Sequence, residues 1–189
     1  DFKLLNGVWF KDVFEAIGKR TKLKTLKFSM IHFSFENPRR VFGVFCESLK
    51  KLEKLSDLSL VLTDRKTTIE EREMVEFGNC LSSLKNLQGV SFSINCSKLQ
   101  PEAGSVFFSC FANHLPLLSR INLRLEGVKI TRESYNHLGK ILKEHKCLNM
   151  MHLDLIGQLE EGLDLVLLKK KDAQKMYWRY SFYPKMKRL

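Results

Sequence analysis

The chain has 189 residues, 44% hydrophobic and 28% charged, which is the composition of one folded domain large enough to bury a sizeable core and excludes an extended disordered chain. No stretch approaches eighteen uncharged apolar residues and the N-terminus has no basic-then-apolar leader pattern, so no membrane insertion is expected and the chain reads as intracellular and soluble. Of the formal net charge of +11, residues 169–189 carry +7, from eight Lys or Arg and one Asp.

In chain order, residues 1–22 read as an N-terminal helix or partial repeat, with Val13 and Ile17 four apart on one helical face. A strand follows in an LxxLxLxL frame: Leu23, Leu26, Phe28, Met30. Asn37-Pro38 signals the start of the next helix, which carries Phe45 and Leu49 on its apolar face and leads into Leu55, Leu58, Leu60, Leu62. The third helix opens at Glu70-Glu71-Arg72-Glu73, where negative charge complements the helix dipole, and its Phe77 and Leu81 precede Leu87, Val90, Phe92, Ile94. Pro101-Glu102 starts a fourth helix, with Phe108 and Ala112, before Leu118, Ile121, Leu123, Leu125. Thr131-Arg132-Glu133 starts a fifth, with Leu138 and Leu142, before Leu148, Met151, Leu153, Leu155. Glu160-Glu161 reads as another acidic helix start, and a degenerate sixth copy follows at Tyr177, Tyr180, Phe182.

The first members of the five clear copies lie 32, 32, 31 and 30 residues apart. A strand and a helix of this size cannot bury their apolar faces alone, but stacked copies share one core. Three residues before each frame except the first stands Leu52, Leu84, Leu115 or His145, and nine before it Phe14, Cys46, Gly78, Ser109 or Gly139, mostly small residues suited to close helix packing. The expected architecture is an α/β solenoid, a horseshoe with a parallel sheet on the concave face and helices on the convex face. Residues 1–22 form its start, 23–155 the repeat core, and 156–189 a capping repeat with a basic-aromatic tail, all within one domain.

The run Val128-Lys129-Ile130-Thr131-Arg132-Glu133-Ser134-Tyr135 through Leu138, Ile141 and Leu142 into Leu148 resembles the ribonuclease-inhibitor-like class of leucine-rich repeats, and Gly78 through Leu87 is similar to divergent members from single-celled eukaryotes. The likeness covers residues 12–155 well and 156–183 weakly. It implies the horseshoe fold and binding through the concave sheet. The chain departs from the class in its longer repeats, in lacking the usual Asn after most strands, and in its basic charge.

On a sheet with one buried face, the residues alternating with the core spokes form the inner face. Its columns read Thr25, Asp57, Gly89, Arg120, Met150, Arg179; Lys27, Ser59, Ser91, Asn122, His152, Ser181; and Ser29, Val61, Ser93, Arg124, Asp154, Tyr183. The candidate contact residues are Lys27, Asp57, Arg120, Asn122, Arg124, His152 and Asp154, with an unused, solvated face as the equal alternative. A second candidate is the C-terminal segment, in which Lys169-Lys170-Lys171, Tyr177-Trp178-Arg179-Tyr180-Ser181-Phe182-Tyr183 and Lys185-Met186-Lys187-Arg188 mix cations with rings. Trp178, Arg179 and Tyr183 are its contact candidates. That segment suits capping of the exposed core, docking on an acidic protein surface, or nucleic acid, in that order.

No catalytic constellation is present: there is no HExxH, GxSxG, GxGxxG or complete phosphate loop, and Gly18-Lys19-Arg20-Thr21 lacks the upstream Gly, with Val13 in its place. His32, His114, His137, His145 and His152 fall at no metal-ligand spacing, and His145 beside Cys147 is weak evidence for a nucleophile. The five cysteines, 46, 80, 96, 110 and 147, form no CxxC and read as reduced, mostly buried thiols. Asn95-Cys96-Ser97 fits a glycosylation triplet of the kind that arises by chance. Neither enzymatic activity nor a cofactor nor a metal is expected. The expected function is a protein-protein interaction scaffold or structural subunit whose partner has an acidic surface. The alternatives are an RNA-binding accessory protein using the basic aromatic C-terminus, and the regulatory repeat region of a longer protein.

Overall fold

The period of apolar residues switches from four to two and back along the chain, and the structure follows it. The computed structural model describes residues 7–31, 38–63, 71–95, 101–159 and 175–182. Its elements alternate in the order α1 (Gly7–Gly18), β1 (Thr25–Ile31), α2 (Pro38–Lys50), β2 (Asp57–Thr63), α3 (Glu71–Ser83), β3 (Gly89–Asn95), α4 (Pro101–His114), β4 (Arg120–Ile130), α5 (Arg132–Glu144), β5 (Met150–Leu159) and β6 (Lys175–Phe182). Helices α2, α4 and α5 begin where Pro38, Pro101 and Thr131 signal them. Thr131 is an N-cap in extended conformation whose Oγ1 accepts the Ser134 N–H at 3.2 Å.

The strands form one all-parallel six-stranded sheet in chain order, and consecutive helices from α1 to α5 pack against each other in the same order. This is an α/β architecture of stacked strand-helix units, compatible with a solenoid-like repeat. The spokes fall into register: Leu26, Leu58, Val90, Ile121 and Met151 pair in sequence, as do Phe28, Leu60, Phe92, Leu123 and Leu153. All ten are buried except Phe28, which is partly buried against the same core.

The backbone explains why the frame opens with Leu-x-x-Leu. The amides of Leu23, Leu55, Leu87, Leu118 and Leu148 each donate to the carbonyl three residues back, on Arg20, Leu52, Leu84, Leu115 and His145. One tight turn is therefore repeated five times, and in the last four it directs the third residue back into the core, where Leu52, Leu84 and Leu115 are at most 1% exposed and His145 takes the same place at 7%, whereas Arg20 in the first turn is exposed. Adjacent turns are tied together as well: the Ser56, Gln88, Ser119 and Asn149 amides donate to the carbonyls of Lys24, Ser56, Gln88 and Ser119.

Between helices and sheet runs a chain of phenylalanine rings. Phe14 meets Phe28 and Phe45 at centroid distances of 5.2 and 4.9 Å, Phe77 meets Phe42, Phe92 and Phe107 at 5.6, 5.3 and 6.0 Å, and Phe107 meets Phe111 edge-on at 4.9 Å. Each such pair contributes about 0.5–1.5 kcal/mol beyond the apolar area it buries. In α1 this chain displaces the expected apolar position. Phe10 and Phe14, four apart, are 2% and 0% exposed, whereas Val13 is only half-buried. The larger ring wins the inward place because burying it removes more apolar surface from water.

The sixth strand also departs from its expected frame. Met176, Trp178 and Tyr180 stand in register with Met151, Leu153 and Leu155, so the step from β5 to β6 is 25 residues instead of 30 to 32. The alternation keeps its parity, but every open-face pairing moves by four residues. Arg179 lies opposite Asp154 instead of Met150, and Ser181 opposite Ile156 instead of His152. Aromatic residues alternating with polar ones fit two frames four residues apart equally well, and the sequence spacing selected the wrong one.

Strands β4 and β5 run longer than the others because β4 contains a bulge. Pairing slips between Glu126 and Val128, and the intervening Gly127 has φ +80°. The inserted residue restores the inward direction, so that Val128 and Ile130 are 2% and 1% exposed and the core extends past Leu125. Gly127→Val forces a β-branched residue into the left-handed region and is expected to lower stability by about 1–2 kcal/mol in urea unfolding. An unchanged midpoint would contradict the bulge.

Candidate recognition face

Helices cover one face of the sheet, and no described element covers the other. Parallel sheets are ordinarily buried on both faces, so what lines this bare face matters. On it, Thr25, Lys27, Ser29, Arg120 and Arg124 are exposed, and Asp57, Ser59, Val61, Ser91, Ser93, Asn122 and His152 are partly so. Strand alternation alone places them there, opposite the buried spokes.

The structure joins two candidates that the sequence treats as separate. Asp57 on β2 and Arg120 on β4 flank Gly89 on β3 in one register row, and the Arg120 guanidinium reaches across the middle strand to donate to the Asp57 carboxylate at 2.5 Å. Gly89 permits this. A Cβ at that position would stand 2.4 Å from Asp57 Oδ1 and 3.0 Å from Arg120 Nη2, and the bridge in turn buries Gly89. Ser56 Oγ also donates to Asp57 Oδ2 at 2.9 Å, which orients the carboxylate. Beside the bridge, Asn122 Nδ2 donates to Ser91 Oγ at 3.2 Å. The bridge and the small residues around it form an open depression of about 290 Å³, lined among others by Thr25, Lys27, Ser59, Ser91, Asn122 and Met150.

Gly89→Ala is expected to swing the two flexible side chains apart and fill part of the depression. Both partners are more than a third exposed, so the loss of stability should stay under about 1 kcal/mol. A crystal structure of the variant with the bridge intact would contradict the close fit.

Toward the later strands, Arg124 Nε lies 3.7 Å from Asp154 Oδ2. Asp154 is largely buried at 9% exposure, not an open contact residue as its column suggested: Arg124 approaches it from β4, and its strand is paired on the other side by β6. Asp154 therefore stands between two arginine positions, Arg124 and Arg179. Of the tail candidates, Trp178 lies in register with Leu153, a spoke row, and Arg179 with Asp154, while Tyr183 lies outside the described residues. So do Lys169-Lys170-Lys171, the Lys185–Arg188 run and the expected helix start at Glu160.

The remaining reactive side chains belong to the interior or to ordinary surface. Cys46, Cys80 and Cys110 are buried and Cys147 is exposed. Cys80 Sγ donates to the Cys46 carbonyl at 3.2 Å; the Cys46 thiol is pushed far up by hydrogen bonding to Cys80 and by burial, and burial raises Cys110 to about 11, so neither forms a thiolate near neutrality. His137 lies 3.9 Å from Glu133 one turn away, and Glu73, expected at an open helix start, is 5% exposed. Gly18-Lys19-Arg20-Thr21 follows helix α1 and leads into a strand, the reverse of a phosphate loop. Among the described residues no group of three or more His, Cys, Asp or Glu could hold a metal ion, and no helix is long and apolar enough to cross a membrane. No protein-family model matches the chain, and no curated protein matches it.

Proposed function

We propose that this chain is a leucine-rich-repeat horseshoe of the ribonuclease-inhibitor-like class that acts without catalysis, as a scaffold or structural subunit holding a protein partner on its open sheet face. One observation carries the reading: a parallel sheet with helices on one side presents another side that no described element covers, furnished with Lys27, the Asp57–Arg120 bridge, Asn122 and Arg124. Bare strands with fixed side chains form a rigid surface, and ordering such a surface on binding loses little entropy. Lys27 and Arg124 favour a partner with acidic groups at matching places.

Affinity purification with mass spectrometry, with and without nuclease, tests this. A nuclease-resistant partner that is lost on charge reversal of the open face supports the reading. Isolation of the chain with no co-purifying protein counts against it.

A further inference from the structure

Outside the C-terminal segment, the positive charge gathers where only the repeat stacking brings it together. The turns leading from α1 into β1 and from α2 into β2, residues 19–24 and 51–56, hold Lys19, Arg20, Lys22, Lys24, Lys51 and Lys54 against a single carboxylate, Glu53. These twelve residues carry +5, and with residues 169–189 at +7 the other 156 residues sum to −1. All six cations are exposed, and none makes an ion pair among the described residues.

Repeat geometry superposes them. Both turns have the same hydrogen bond, Leu23 N–H to Arg20 and Leu55 N–H to Leu52, and they lead into strands paired Thr25 to Asp57. Lys22 therefore stands over Lys54, and Lys19 over Lys51, in turns that the hydrogen bond from the Ser56 N–H to the Lys24 carbonyl lays one on the other. The negative ends of helix dipoles account for Lys19 and Lys51, the first residues after α1 and α2, but not for Lys22, Lys24 and Lys54, which lie four or more residues past the helix ends. Exposed like charges gathered on one edge repel one another weakly in salt, and an anion of high charge density lying along them turns that repulsion into attraction.

We propose that this edge of the first two repeats is a binding surface for the phosphate backbone of a nucleic acid, distinct from both the open sheet face and the C-terminal segment. Five of the six cations are lysines, compact point charges suited to phosphate, not the guanidinium forks that grip carboxylates in pairs. No aromatic residue stands in either turn to stack a base, so recognition is of the backbone and independent of sequence. A duplex, with a charge every ~1.7 Å of axis, supplies enough negative density to neutralise a stacked lysine column.

The test uses a fluorescein-labelled 20-base-pair DNA duplex and the full chain. Replacing Lys19, Lys22, Lys51 and Lys54 by Gln is expected to weaken binding at low salt by at least about 100-fold and to reduce the slope of log K against log salt by about 3–4. A control with Lys185, Lys187 and Arg188 changed to Gln should keep most of the affinity. The edge variant should melt no lower than the parent, since repulsion has been removed, and Lys54→Glu should melt slightly higher. Unchanged affinity and slope in the edge variant overturns the proposal, as does a clear fall in its melting temperature. Retention of polyglutamate or phosphatidylserine vesicles without retention of the duplex overturns it as well.

Discussion

Phe77→Ala is expected to lower the unfolding free energy by about 3–5 kcal/mol, the range of a fully buried phenylalanine truncation. The ring is 0% exposed and stands at the crossing of the phenylalanine chain, with centroids 5.6 Å from Phe42, 6.4 Å from Phe45, 5.3 Å from Phe92 and 6.0 Å from Phe107. Those partners come from α2, β3 and α4, so no single element can move in to fill the void. Against a typical total of about 5–15 kcal/mol, such a loss leaves the chain marginal at best. Because stacked units stabilise one another through their interfaces, the lesion should also uncouple the first two repeats from the rest and broaden the urea transition. Val13→Ala is the matched control. Val13 is half-buried despite sharing the frame position of Phe77, and its loss should be about 1 kcal/mol or less. Equal destabilisation by the two variants would refute the packing described.

Arg120→Glu combined with Arg124→Glu is expected to weaken retention of the protein partner by about 30-fold or more, the ~2 kcal/mol scale of an arginine hot spot. Among the described residues each arginine has one ion-pair partner. Arg120 bridges to Asp57 with its side chain 47% exposed, and Arg124 approaches Asp154 with 58% exposed, so both cations face outward to a ligand. Reversal sets a new carboxylate beside Asp57 at the first site and beside the nearly buried Asp154 at the second. The folding penalty should come mostly from the second site, because repulsion of a carboxylate shielded from water is less screened. Titration of the captured partner, with urea unfolding of the same variant, separates the two effects. A partner bound as tightly by the double variant as by the parent would remove the open face from consideration.

The repeat, its period and the identity of the spokes were legible in the residues themselves, because a strand buried on one face must alternate and a helix packed on it must return every three to four residues. Helix starts were readable for the same local reason: Pro38, Pro101 and Thr131 act on their own turns. Three features emerged only once the units were stacked. The register of β6 depended on which of two equivalent alternations meets Met151, a choice made by the neighbouring strand. The Asp57–Arg120 bridge joins residues 63 apart, and its clearest signal in the sequence was Gly89, the one residue without a side chain in their row. The basic edge arises from residues 32 apart along the chain that become neighbours only when one turn is laid on the next. Local periodicity is written in each repeat, whereas charge pairing and charge stacking across repeats depend on distances that folding alone creates.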